Sequence, residues 1–109
     1  MKVVYIGGPY RSNMPFPLSI LHRAWRIHKA RQVARKYWKM GYAVICPHSN
    51  SGFMELWNRG DEEMFHQGDF EFIKRCDIFV AMIDWRISVG TNRDLYTAAQ
   101  YGKDIIYES

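Results

Sequence analysis

The run Ile78-Phe79-Val80-Ala81-Met82-Ile83 passes through Asp84-Trp85-Arg86-Ile87 into Ser88-Val89-Gly90-Thr91-Asn92-Arg93-Asp94, and this passage decides the fold. The first part is almost continuously apolar, as a strand covered on both faces must be. The second part holds a Gly-Thr turn that opens a helix expected over Thr91 to Tyr101, with Leu95, Ala98 and Ala99 inward and Gly102 as its stop. A buried strand that runs through a small polar loop into a helix is the edge where open α/β sheets bind ligands. Free backbone amides at the helix start favour an anion there.

Working outward, three more short apolar runs read as strands: Val3–Ile6, Tyr42–Cys46 and Asp104–Tyr107. The first two flank a long helical segment, roughly Leu18 to Met40. There Ala24, Ile27, Ala30, Val33, Ala34, Tyr37 and Trp38 recur at helical spacing before Gly41. A loop over Pro47 to Gly60 and a helix from about Asp61 to Arg75 fill the next interval, and Asp77 is expected to cap or end that helix. The alternation βαβαβαβ predicts a parallel sheet with helices on both faces. Right-handed crossovers limit the topologies, and the expected order is 2-1-3-4, a flavodoxin-like three-layer sandwich of the α/β class. Its switch point lies between the first and third strands. The loops that leave those strands, Gly7–Asn13 and Asp84–Thr91, therefore meet where the motif already points.

A length of 109 residues predicts one domain over 1–109. With 48% hydrophobic residues the chain has enough apolar material for a core. No stretch is long and apolar enough to span a membrane, and no signal-peptide pattern opens the chain, so a cytoplasmic protein is expected. Cys46 and Cys76 lack metal spacing and sit beside apolar runs, which predicts buried free thiols. The four histidines have no ligand spacing with acids or cysteines, so no metal and no cofactor is expected. A Gly-x-Gly-x-x-Gly fingerprint is absent.

The net charge of +4 gathers in one stretch, Arg23, Arg26, Lys29, Arg31, Arg35, Lys36 and Lys39. The plain reading is a solvated helix face. Trp25, Tyr37 and Trp38 on the same helix suit nucleic-acid binding, but no nucleic-acid motif accompanies them, so that partner is not expected.

Several residues are candidates for chemistry. Gly7 and Gly8 permit a close backbone approach to a ligand, Pro9 follows them, and Arg11 suits a phosphate or carboxylate; a tight turn with an exposed arginine explains them equally. His48 either contacts a ligand or caps its own turn. Asp69, beside Phe70 and Phe72, faces either the switch point or solvent. Trp85 either stacks on a base or covers the end of the sheet. Asp94 is placed in the first turn of the last helix, where it either complements the positive helix end or serves as a nucleophilic carboxylate.

Taken in order and spacing, these motifs resemble the nucleoside 2-deoxyribosyltransferase superfamily. Tyr5-Ile6-Gly7-Gly8-Pro9 resembles its opening strand and loop, usually Tyr-Ile-Ala-Gly-Pro. Asp69, with Asp77 and an apolar strand after it, matches its helix-to-strand spacing. Ser88-Val89-Gly90-Thr91-Asn92-Arg93-Asp94 matches the signature in which a Gly-Thr turn precedes the nucleophilic acid. The resemblance implies cleavage or transfer at the N-glycosidic bond of a nucleoside or its 5′-monophosphate. Asp94 would attack C1′, Asp69 would handle the base and its protons, and Tyr5 would orient the nucleophile. Gly7, Gly8, Pro9, Arg11, His48, Trp85, Ser88, Gly90 and Thr91 would bind the substrate. A serine at position 88 is similar to the branch that hydrolyses 2′-deoxynucleoside 5′-monophosphates, where it helps bind the phosphate; transferases usually carry aspartate there. The nucleophile of the family is usually glutamate, so Asp94 is shorter by one methylene. A catalytically inactive nucleotide-binding protein of the same fold is the alternative. Family sites completed by a neighbouring subunit, together with four Trp, seven Tyr and six Phe in so short a chain, predict a homo-oligomer.

Overall fold

A computed structural model describes residues 1–10, 14–50 and 62–109. Strands β1 (Val3–Gly7), β2 (Ala43–Ile45), β3 (Ile78–Ala81) and β4 (Asp104–Tyr107) form one parallel sheet in the order β2-β1-β3-β4. Helix α1 (Leu18–Lys39) follows β1, the short α2 (Pro47–Asn50) follows β2, and α3 (Glu62–Arg75) leads into β3. A 3-10 turn (Trp85–Ile87) and helix α4 (Val89–Gln100) lie between β3 and β4. The expected class, strand order and central pair of strands are those observed.

Alternation along the central strands divides the core into two layers. Val4, Ile6, Ile78 and Val80 point to α1 and pack with Ala30, Ala34 and Tyr37. Tyr5, Phe79 and Ala81 point to the opposite face and pack with Ile73 of α3 and Ala98 of α4. β1 and β3 read as unbroken apolar runs because both of their faces are covered.

Several boundaries differ from expectation. β3 stops at Ala81, short of Ile83, because its partner β1 ends at Gly7 and Pro9 has no N–H to carry the ladder on. Ile83 is then 67% exposed. β2 spans three residues of the expected five, and the loop expected from Pro47 begins as α2. α4 starts two residues earlier than expected, at Val89, because the Ser88 side chain caps it. Ala99 is exposed although it was expected inward; Leu95 and Ala98 do face the core. Ala24 and Trp38 of α1 are also exposed; Trp38 follows the buried Tyr37 and is turned about 100° around the helix from it. Asp77 ends no helix by side-chain capping. Its carboxylate accepts from the Val3 amide at 2.8 Å and so pins the start of β1 to the start of β3. Cys46 and Cys76 are buried free thiols, as expected.

Gly7, the last residue of β1, and Gly8 after it are explained by packing. A Cβ on Gly7 would lie 2.4 Å from Cζ of Phe79, and one on Gly8 would lie 2.4 Å from Sδ of Met82. Phe79 is fully buried, so its ring has nowhere to retreat. Gly7→Ala should therefore destabilise the fold by about 1–3 kcal/mol through overpacking. Phe79→Leu, introduced into the Gly7→Ala chain, should recover part of that loss. Urea denaturation of the two single variants and the double variant measures the coupling; strictly additive losses would show that no clash joins the two positions.

Candidate functional site

The C-terminal ends of β1 and β3 set the site. Tyr5, buried on the α3–α4 face of β1, stacks on Phe79 with ring centroids 5.4 Å apart. This stacking aims its hydroxyl at α4, where it donates to Oδ2 of Asp94 across 3.4 Å. That bond is long for O–H···O, so it orients the carboxylate more than it stabilises it. The other oxygen, Oδ1, is buried and has no hydrogen-bond partner among the described residues.

Asp94 is the sixth residue of α4, not a first-turn residue as expected, because the helix begins at Val89. The dipole at the helix start fades within one turn, so complementing it is a poor explanation of this carboxylate. Burial pushes the Asp94 pKa up to about 7, and the charge of Asp69 adds to the rise; Arg93 and the Tyr5 hydroxyl pull the other way. Asp69 rises to about 6, chiefly by burial and against the pull of Arg93. Asp69 is half-buried on α3, and its charge acts on both Tyr5 and Asp94. An ionised Asp69 helps Asp94 hold its proton. Burial, then the charges of Asp94 and Asp69, keep the Tyr5 phenol well above its ordinary pKa. At neutral pH Tyr5 is a hydrogen-bond donor, Asp69 is mostly ionised and Asp94 is near its midpoint.

The start of α4 lies beside this cluster in sequence. Oγ of Ser88 accepts from the Thr91 amide at 3.1 Å, which makes Ser88 the N-cap. The hydroxyl proton remains available for donation. Helix geometry leaves the Val89 and Gly90 amides without an intrahelical acceptor. Thr91 is buried and Gly90 half-buried. On the other side, Nε2–H of the buried His48 donates to the Pro9 carbonyl at 2.9 Å. Burial lowers the His48 pKa, so the ring is neutral at pH 7, and the Pro9 bond leaves Nδ1 as an acceptor. His48 therefore ties the loop after β1 to the turn after β2, and it packs edge-on against Tyr10 at 5.8 Å.

Trp85 packs against Tyr107 of β4 at 5.5 Å and joins the core of the α3–α4 layer. Covering the end of the sheet accounts for that position. Arg11 lies outside the described residues. Among those residues, no group of three or more His, Cys, Asp and Glu could hold a metal ion.

Two contributors escaped the sequence reading. Asn92 donates from Nδ2 to the carbonyls of Ser88 (2.8 Å), Arg86 (3.2 Å) and Trp85 (3.4 Å), which locks the 3-10 turn onto α4. The guanidinium of Arg93 sits 5.4 Å from the centre of the Phe70 ring and supplies the positive charge that both acids feel. An asparagine in the first turn of a helix was the one available signal; its three acceptors are set by the path of the loop before that helix. Two concavities, of about 770 and 780 Å³, are lined by other residues, and neither lining includes Asp69 or Asp94.

Asp94 is held protonated by the fold, so it stabilises the folded state below its unfolded pKa, and that contribution is lost as pH rises through about 7. Asp94→Asn should therefore raise the thermal midpoint relative to the parent at pH 8 and leave it almost unchanged near pH 4. Equal effects at both pH values, measured by circular dichroism melts, would contradict a buried, raised carboxyl.

The chain belongs to the family described as "Domain of unknown function (DUF7768)", whose pattern matches residues 2–108. Comparison with curated proteins gives no match. Among solved structures, the chain is similar to a "2-desoxiribosyltransferase from Leishmania mexicana", with a TM-score of 0.67 and 18% identity. The match covers 98% of this chain and 63% of that one. The shared property is the fold.

Proposed function

We propose that this DUF7768 chain cleaves or transfers at the N-glycosidic bond of a (deoxy)nucleoside or its 5′-monophosphate, with Asp94 as the nucleophile. The observation that carries the proposal is the buried Tyr5 hydroxyl on the half-buried Asp94, whose Oδ1 is unpartnered among the described residues, with the charge of the half-buried Asp69 acting on both. The solved relative, itself described as a deoxyribosyltransferase, supports the same class. In this reading the ionised Oδ1 attacks C1′, the C1′–N bond breaks, and the base leaves as it gains a proton from a water that hydrogen-bonds to the ionised Asp69. A second base or water then displaces Asp94 from C1′. Tyr5 holds Oδ2 and so leaves Oδ1 to react. The start of α4, with Ser88, Gly90 and Thr91, suits a 5′-phosphate. Gly7, Gly8, Pro9, Arg11, His48 and Trp85 complete the proposed binding set, with no cofactor. A single domain over 1–109, a homo-oligomer and a cytoplasmic setting belong to the same proposal. Among the described residues no helix is long and apolar enough to cross a membrane.

One observation favours a second reading, a nucleotide-binding protein without catalysis. An aspartate with a pKa near 7 is half protonated at neutral pH, and it is one methylene shorter than the glutamate usual in the nucleoside 2-deoxyribosyltransferase superfamily that the sequence resembles. A displacement of about 1 Å costs roughly a hundredfold in a positioned reaction.

Incubation with a panel of nucleosides and 5′-monophosphates, with and without a second base, separates these readings by chromatography. Free base without an acceptor identifies a hydrolase, and base exchange identifies a transferase. Asp94→Asn should retain ligand affinity and lose turnover, whereas Asp94→Glu should match or exceed the parent. Binding with no base release by either the parent or Asp94→Glu would leave the binding-protein reading.

Turnover should rise with pH through about 7 as Asp94 ionises. Asp69→Asn removes the charge that helps hold the Asp94 proton, so the acidic limb should move to lower pH even as the maximal rate falls. A limb that stays in place would show that Asp69 exerts no field on the nucleophile.

A further inference from the structure

The cations of α1 divide sharply by partner. The Arg23 guanidinium lies 5.7 Å from the centre of the Tyr10 ring, and Arg26 donates to His22 at 3.1 Å. Lys29 pairs with Asp84 at 3.1 Å and Lys36 with Glu108 at 2.9 Å. Arg31, Arg35 and Lys39 have no ion-pair or hydrogen-bond partner among the described residues. These three are spaced four residues apart, so they form one stripe, with about 6 Å of helix rise between neighbours. The stripe borders a concavity of about 770 Å³ along the β2 edge. Trp38, 55% exposed, stands between Arg35 and Lys39 on that rim, and Val44 and Phe72 contribute apolar surface. No acidic side chain lines the concavity among the described residues.

We propose that this groove binds single-stranded nucleic acid, with successive phosphates against Arg31, Arg35 and Lys39 and a base stacked on Trp38. This proposal is independent of any reaction at Asp94. A row of unpaired cations beside an exposed aromatic ring is the chemistry that tracks a single strand without reading its sequence. Other occupants fit less well. β2 has three residues, too few to template a peptide strand efficiently. A second copy meeting this face through its own stripe would bring the same three unpaired charges against these. A duplex keeps its bases stacked and offers none to Trp38.

The test is fluorescence anisotropy of a labelled short oligothymidine with the full chain, between about 50 and 200 mM salt. Three phosphate contacts predict saturable binding with a slope of about −2 in log affinity against log salt. Arg35→Gln should flatten that slope by about 0.7. Trp38→Ala should weaken binding about tenfold with the slope unchanged. All four side chains are exposed, and an unchanged thermal midpoint would confirm that each variant folds. A duplex of the same length should bind more weakly. Absence of binding at the lowest salt, indifference to Trp38→Ala, or equal competition by polyglutamate would each overturn the proposal; the last would mark the stripe as a general anion surface.

Discussion

The contact between the Phe79 ring and the backbone of β1 is the constraint from which the rest of the site follows. Gly7 lacks a Cβ where the ring sits, and the same ring stacks on Tyr5. Two strands pressed together in this way bring the loops that leave them side by side. The Tyr5 hydroxyl is then delivered to the one point of α4 where a carboxylate waits. A larger residue at position 7 or a smaller ring at 79 would change the position of Tyr5 and, with it, the orientation of Asp94.

Burial does the electrostatic work that follows. Asp69 and Asp94 come from different helices and share the layer between those helices and the sheet. Each loses hydration, and neither has a carboxylate-matching partner strong enough to hold it ionised. Arg93 tempers both without neutralising either. The outcome is a pair of acids that titrate near neutral pH, well above the ordinary carboxylate range, and such perturbed groups cluster at functional sites. The cost falls on the fold at high pH, where both must ionise inside it.

The two faces of the sheet divide their labour. The α3–α4 layer carries the acids. The α1 layer carries the positive charge, most of it tied to local partners and the remainder aligned along the β2 edge. His48 and Pro9 join the turns at the top of the sheet without contributing charge of their own at neutral pH.

Fold class and strand order were legible in the sequence because a doubly covered strand must be apolar throughout, and Val3–Ile6 and Ile78–Ala81 are. The positions of Tyr5, Asp69 and Asp94 as candidates were legible through spacing and through their resemblance to a known signature. Helix starts were less so: Ser88 could be read as a ligand residue, and only its bond to the Thr91 amide shows it capping α4, which moves Asp94 out of the first turn. Glycine at 7 and 8 told of close approach but not of what approaches, and the structure puts Phe79 and Met82 there. The partial burial of Asp69, the three hydrogen bonds of Asn92 to its own loop, and the separation of cations on α1 into those with and without partners among the described residues were decided only by tertiary structure. The physical reason is common to all of them: local patterns set which residues form an element and which face is apolar, whereas desolvation and pairing depend on groups brought together from distant parts of the chain.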